Sequence, residues 1–105
     1  MSDRSANVSQ KRVRFARSAT KHRVSKERIR YVIAHCGLAF EEQASTSDPS
    51  DVVDPRLVCL GDDPDGQAIE VIAVEGSKDE LIVIHAMALR KKYIDQYEEA
   101  KRWRL

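Results

Sequence analysis

The run Glu80–Ala86, ELIVIHA, constrains the fold more than any other stretch of the chain. It is short, nearly all apolar and does not alternate with polar residues. Such a run reads as a strand covered on both faces. Gly76-Ser77-Lys78-Asp79 marks a tight turn before it, and Gln67–Glu75 reads as a second apolar-rich strand before that turn. Arg56–Leu60 is short and β-compatible, and the Gly61–Gly66 segment that follows ends in Asp-Gly, a strong hairpin signal. Two successive tight connections make these three strands an antiparallel meander. Strict alternation places His85 on one face with Leu81 and Val83.

Helices flank the meander. Ser25 is a good N-cap, and Glu27 stands in the first turn, where the helix dipole favours an acid. Ile29, Val32, Ile33 and Cys36 then recur at the spacing of one helix face, which predicts a helix over 25–36 ended by Gly37. A short helix is expected before it, from about Arg14 to Thr20, making an N-terminal αα unit. Glu41–Pro55 is acidic and rich in Ser, Asp and Pro, and reads as a loop. After Met87-Ala88-Leu89-Arg90, Tyr93 and Tyr97 fall on one side of a closing helix with Leu89 and Ala100. Trp103 is expected to pack back or to meet a partner. The expected class is therefore α+β: an N-terminal αα unit, a three-stranded or slightly larger antiparallel meander, and a C-terminal helix. A chain of 105 residues suits one domain. Residues 1–13 read as a flexible basic arm and 14–105 as the domain.

The charge is sorted along the chain. Residues 1–40 hold ten Lys and Arg against two acids, 41–80 hold two against twelve, and 81–105 hold six against three. A basic head and tail around an acidic middle suggest a polyanion-facing surface made from both ends. The acidic middle itself reads as loops and turns. Cys36 and Cys59 form no CxxC and read as buried thiols in a reducing cytoplasm. No run nears the ~20 apolar residues of a membrane span, no signal peptide is expected, and no metal or other cofactor is implied. The Asp62-Asp63-Pro64-Asp65-Gly66 turn is too short, and lacks the distal Glu, for an EF-hand loop.

Two groups of residues could carry chemistry. Lys21-His22-Arg23 sits before the 25–36 helix, where cations disfavour the imidazolium and could hold a phosphate. His85 ends the last strand, followed by Arg90, Lys91 and Lys92 at a helix start, a natural anion site. Imidazoles with guanidinium and ammonium groups suffice for metal-free RNA cleavage: a base activates the 2′-hydroxyl, cations stabilise the phosphorane and an acid protonates the leaving oxygen. His85, His22, Arg90 and Lys21 are thus the candidate catalytic residues, and Arg14, Arg23, Lys91, Lys92 and Tyr93 the candidate RNA-binding ones. Each group also has a structural alternative, a solvated basic turn and a satisfied core histidine.

The stretch Arg14-x3-Ser18-x2-Lys21-His22-Arg23-Val24 resembles the K-x3-N-x2-K-H-G-V pattern of BrnT-type toxins, in the RelE/ParE-like group of type II toxin–antitoxin systems. Leu60-Gly61, Gly66, the Ile69–Val74 strand, Ile84-His85-Ala86 and Tyr97-Glu98 follow in the family's order. The resemblance covers roughly residues 14–98. It implies a sheet with packed helices, a metal-free ribonuclease that cuts mRNA and stops translation, and a cognate antitoxin that also binds DNA. Four positions depart from the pattern: Ser18 for asparagine, Arg23 for glycine, and Gln67 and Met87 for arginines tied to RNA binding and cleavage. His85 and Arg90–Lys92 are then expected to replace the lost charge. The alternatives are a non-catalytic RNA- or partner-binding relative and, third, a helix-turn-helix DNA-binding regulator within residues 14–37.

Overall fold

The structure, a computed structural model, describes residues 12–36, 39–42, 56–76 and 79–102. Its elements run β1 (Arg12–Phe15), a 3-10 turn (Arg17–Thr20), α1 (Lys26–His35), β2 (Ala39–Glu42), β3 (Arg56–Asp62), β4 (Ala68–Glu75), β5 (Glu80–Ala88), a second 3-10 turn (Lys91–Tyr93) and α2 (Ile94–Arg102). The five strands form one sheet in the order β1-β5-β4-β3-β2. The β3–β4–β5 meander is present as expected, antiparallel throughout.

Two edge strands enlarge it. β2 pairs antiparallel with β3, so Glu41 and Glu42 belong to a strand rather than to the expected loop, whose residues 43–55 lie outside the described residues. β1 pairs parallel with β5, from Arg12 opposite Glu80 to Phe15 opposite Val83. The expected αα unit is thus replaced by a strand and a single 3-10 turn. Arg12-Val13-Arg14-Phe15 alternates with a period of two: the arginines are exposed, while Val13 and Phe15 pack on the core. One turn of helix is marginal on its own, whereas the open edge of β5 offers the segment backbone partners.

α1 forms as its signals predict. The Ser25 hydroxyl accepts the backbone N–H of Arg28 at 3.2 Å, and Ile29, Val32 and Ile33 are buried. They cover one sheet face together with Cys59, Ile69, Val71, Leu81 and Val83. On the opposite face Tyr93 and Tyr97 pack over Val58, Leu60 and Ile72. The sheet is therefore sandwiched, which explains why its central strands are apolar on both sides. Cys36 and Cys59 are buried and form no disulfide, and contact with Cys36, together with burial, holds the Cys59 thiol well above its usual range. Gly37 and Trp103 lie outside the described residues. Among the described residues, no helix is long and apolar enough to cross a membrane.

The sorted charge meets itself in the fold. Asp63, Glu70 and Glu80, all from the acidic middle, are buried. Each is paired with a cation from one of the basic ends: Asp63 with Arg28 at 2.8 Å, Glu70 with Arg90 at 2.5 Å, and Glu80 with Arg14 at 3.3 Å. The acidic middle is thus more than loops and turns, because buried carboxylates need partners and the two ends of the chain supply them.

Candidate functional site

β5 carries one residue too many for its neighbour. Ile72 of β4 stands opposite His85, but Ala73 stands opposite Val83, so Ile84 is unmatched in a β-bulge. The bulge reverses the facing of the strand beyond it. Leu81 and Val83 point to the α1 side, whereas His85 lies on the α2 side with Ile72. The expectation that His85 shares a face with Leu81 and Val83 therefore fails, because alternation does not survive an inserted residue. The carbonyl of Ile84 accepts the Ser18 hydroxyl at 2.5 Å, which ties the 3-10 turn to the bulge.

That turn delivers the second histidine. Ala19 and Val24 are buried anchors on either side of it, leaving Lys21, His22 and Arg23 exposed. Arg23 has φ 66°, the left-handed conformation that ends the turn before Ser25 caps α1. The His22 and His85 rings meet edge to face with centroids 5.4 Å apart. The two basic groups, distant in sequence, thus share one place in the fold.

Glu70 organises the floor. It is wholly buried, two residues from Ile72 on the same face of β4, and Met87 stands opposite it. Its Oε2 lies 2.9 Å from His85 Nε2 and accepts Arg90 Nε at 2.8 Å, while its Oε1 accepts the Arg90 backbone N–H at 2.8 Å. Burial pushes the Glu70 carboxyl up, but the hydrogen bonds from Arg90 and His85 outweigh it and hold the group below its usual range. Burial dominates at His85 and lowers its pKa, against the pull of Glu70 and with the help of Arg90 and His22. At neutral pH the arrangement is a carboxylate, a guanidinium and a neutral imidazole.

The other candidates divide. Arg90 is in the cluster, and Lys91 and Lys92 are exposed beside it. Tyr93 is buried and does not offer its ring to a base: its hydroxyl donates to Glu42 at 2.8 Å, and Lys92 and Arg90 sit over the ring. Arg14 points elsewhere, to Glu80, five residues up β5 from His85 and so about 16 Å along the strand. Gln67 accepts a hydrogen bond from Arg28, so a guanidinium stands next to this position as well. Glu70 was missed at the level of sequence, although a lone carboxylate in the apolar run Ala68-Ile69-Glu70-Val71-Ile72 was the available signal.

Among the described residues no three His, Cys, Asp or Glu side chains converge as a metal site. A concavity of about 340 Å³, lined by Phe40, Leu60, Asp95, Gln96, Glu99 and Ala100, contains none of the clustered residues. Compared with protein-family models, with curated proteins and with solved structures, the chain matches none.

Proposed function

We propose that this protein is a metal-independent endoribonuclease of the toxin kind, and that it cleaves mRNA. The observation that carries the reading is the 5.4 Å approach of the His22 and His85 rings beside Arg90. Two imidazoles at that distance can serve two oxygens of one phosphodiester. Neutral His85 takes the proton of the 2′-hydroxyl, and the 2′-oxygen attacks phosphorus. The bond from phosphorus to the 5′-oxygen breaks, and that oxygen is protonated by His22 acting as the general acid. Arg90 and Lys21 face the charge that develops on the phosphorane. The products are a 2′,3′-cyclic phosphate and a 5′-hydroxyl. Arg23, Lys91 and Lys92 hold flanking phosphates in this scheme.

The left-handed φ of Arg23 supports the family resemblance, since the family has glycine at this position and glycine adopts that conformation freely. Arg90 supports it too, because it reaches the carboxylate opposite Met87, where the family has an arginine. A cognate antitoxin that blocks the same basic surface belongs to the reading, as does action in the cytoplasm.

The test is cleavage of single-stranded RNA by purified protein in the presence of a chelator, with analysis of the ends. Cyclic phosphate ends that vanish in both His85→Ala and His22→Ala are expected, together with growth arrest when the chain is expressed alone. Intact RNA and normal growth would sink the proposal. Gln67 and Met87, at the family's arginine positions, favour a second reading: a non-catalytic relative that binds RNA electrostatically. Salt-sensitive binding without cleavage would select it. A helix-turn-helix would need a first helix, and β1 with its 3-10 turn occupies that segment.

A further inference from the structure

We propose that Glu70 is a positioning residue of the His85 site, fixing the tautomer of the imidazole so that Nδ1 is the nitrogen presented to RNA. The proposal rests on the ribonuclease reading for its consequence, but its structural core stands apart from it. An ionised carboxylate can only accept hydrogen bonds. Glu70 has no exposed surface and already accepts two donors from Arg90, its backbone N–H and its Nε–H. The remaining contact, 2.9 Å from Oε2 to His85 Nε2, therefore requires a hydrogen on Nε2. A neutral His85 then has its lone pair on Nδ1, and no described residue bonds that nitrogen. The charged and titratable groups around the ring are Glu70 from β4, Arg90 from just before the second 3-10 turn and His22 from the turn after β1.

Arg90 keeps the lock closed. Its guanidinium and its backbone N–H hold both carboxylate oxygens, so Glu70 can neither rotate away nor take the proton cheaply. A histidine oriented by a buried carboxylate loses less freedom when it acts as a base, and it acts through one defined nitrogen. Glu70 itself touches no substrate.

The test reads the imidazole ¹⁵N shifts of His85 in the intact protein at neutral pH, then repeats them with RNA kinetics in Glu70→Gln and Glu70→Asp. The wild type should show a neutral ring with hydrogen on Nε2. In Glu70→Gln the amide oxygen is claimed by the backbone N–H of Arg90, which cannot turn away, so the amide NH2 takes the place of Oε2, the partly exposed guanidinium swings aside and the hydrogen on the ring moves to Nδ1. The kcat should then fall by about 100-fold or more with KM within about threefold, because a general base contributes at least that much. Glu70→Asp, which keeps the charge, should restore the Nε2–H form and part of kcat. A wild-type ring protonated on Nδ1, or a folded Glu70→Gln with unchanged tautomer and kcat, overturns the proposal. Should Glu70→Gln fail to fold, the wild-type spectrum and Glu70→Asp decide it. A wild type that cuts no RNA defeats the ribonuclease reading, while the spectrum still decides the role of Glu70.

Discussion

His85 stands opposite Ile72 while Val83 stands opposite Ala73, and the residue left over between them, Ile84, turns His85 toward Glu70. The Ser18 hydroxyl secures that bulge through the Ile84 carbonyl. Ser18→Ala should cost about 0.5–1.5 kcal/mol, the net worth of one such hydrogen bond, measured by urea denaturation. It should also loosen the His22–His85 contact, seen as lost nuclear Overhauser effects between the two rings. An unchanged midpoint with the ring contacts intact would show that the bulge holds itself.

Removing the Glu70 carboxylate leaves Arg90 and His85 facing a buried void. Glu70→Ala should destabilise the protein by about 1.5–3 kcal/mol, the worth of hydrogen bonds to a charged group. Arg102→Ala, which breaks an exposed 3.5 Å contact with Glu99, should stay within about 0.5 kcal/mol of the wild type. Similar losses from the two substitutions would contradict the burial argument.

Stability should fall on acidification in two stages. His85 has a folded pKa below its ordinary 6.5, so the unfolded chain binds its proton first. The stability this group contributes is present above 6.5 and is lost as pH falls through the folded value. Glu70 and Asp63 are also lowered, from 4.5 and 3.8, and their contribution is lost below those values. Burial and the hydrogen bonds from Arg90 and His85 oppose each other at Glu70. At Asp63 the backbone N–H of Gln67 leads, with Arg28 and the N–H of Asp65 assisting against burial. Thermal melts across pH should show both stages, and His85→Gln should erase the upper one alone.

Arg23 holds a conformation that costs a side chain about 1–2 kcal/mol. Arg23→Gly should therefore raise stability by up to about 1 kcal/mol, the gain being reduced by the greater unfolded-state entropy of glycine. Arg23→Val should lower it, since β-branching suits this region least. Melting temperatures of the three proteins check the order.

Phosphate contacts can be counted by salt. Lys21→Ala and Lys91→Ala should each reduce the slope of log Kd against log salt for single-stranded RNA by about 0.7. Arg14→Ala should leave the slope unchanged, because Glu80 already neutralises Arg14 away from the site. An equal effect from Arg14 would move the RNA path toward β1.

Much of the fold was legible because it rests on local rules. The Ser25 cap and the Ile29, Val32, Ile33 spacing specify α1, and the two turns with their apolar runs specify the meander. β1 was misread because a four-residue strand has little pattern of its own and exists through pairing with β5. Tyr93 joins Tyr97 and Leu89 in the core as its spacing predicts, but that its ring is wholly covered is not legible, because a tyrosine among cations looks the same in sequence whether its ring faces solvent or the core.

The sequence alone determined which segments are apolar, where α1 begins, and that positive charge gathers at both ends of an acidic middle, since these are properties of neighbouring residues. Which charges neutralise each other and which remain exposed follows from how the strands and helices pack. That packing buried Asp63, Glu70 and Glu80 against cations 35, 20 and 66 positions away, and it set His22 against His85. The physical reason is register. One unmatched residue in β5 selects the face on which His85 stands, and that choice belongs to the pairing of two strands, which neither strand encodes by itself.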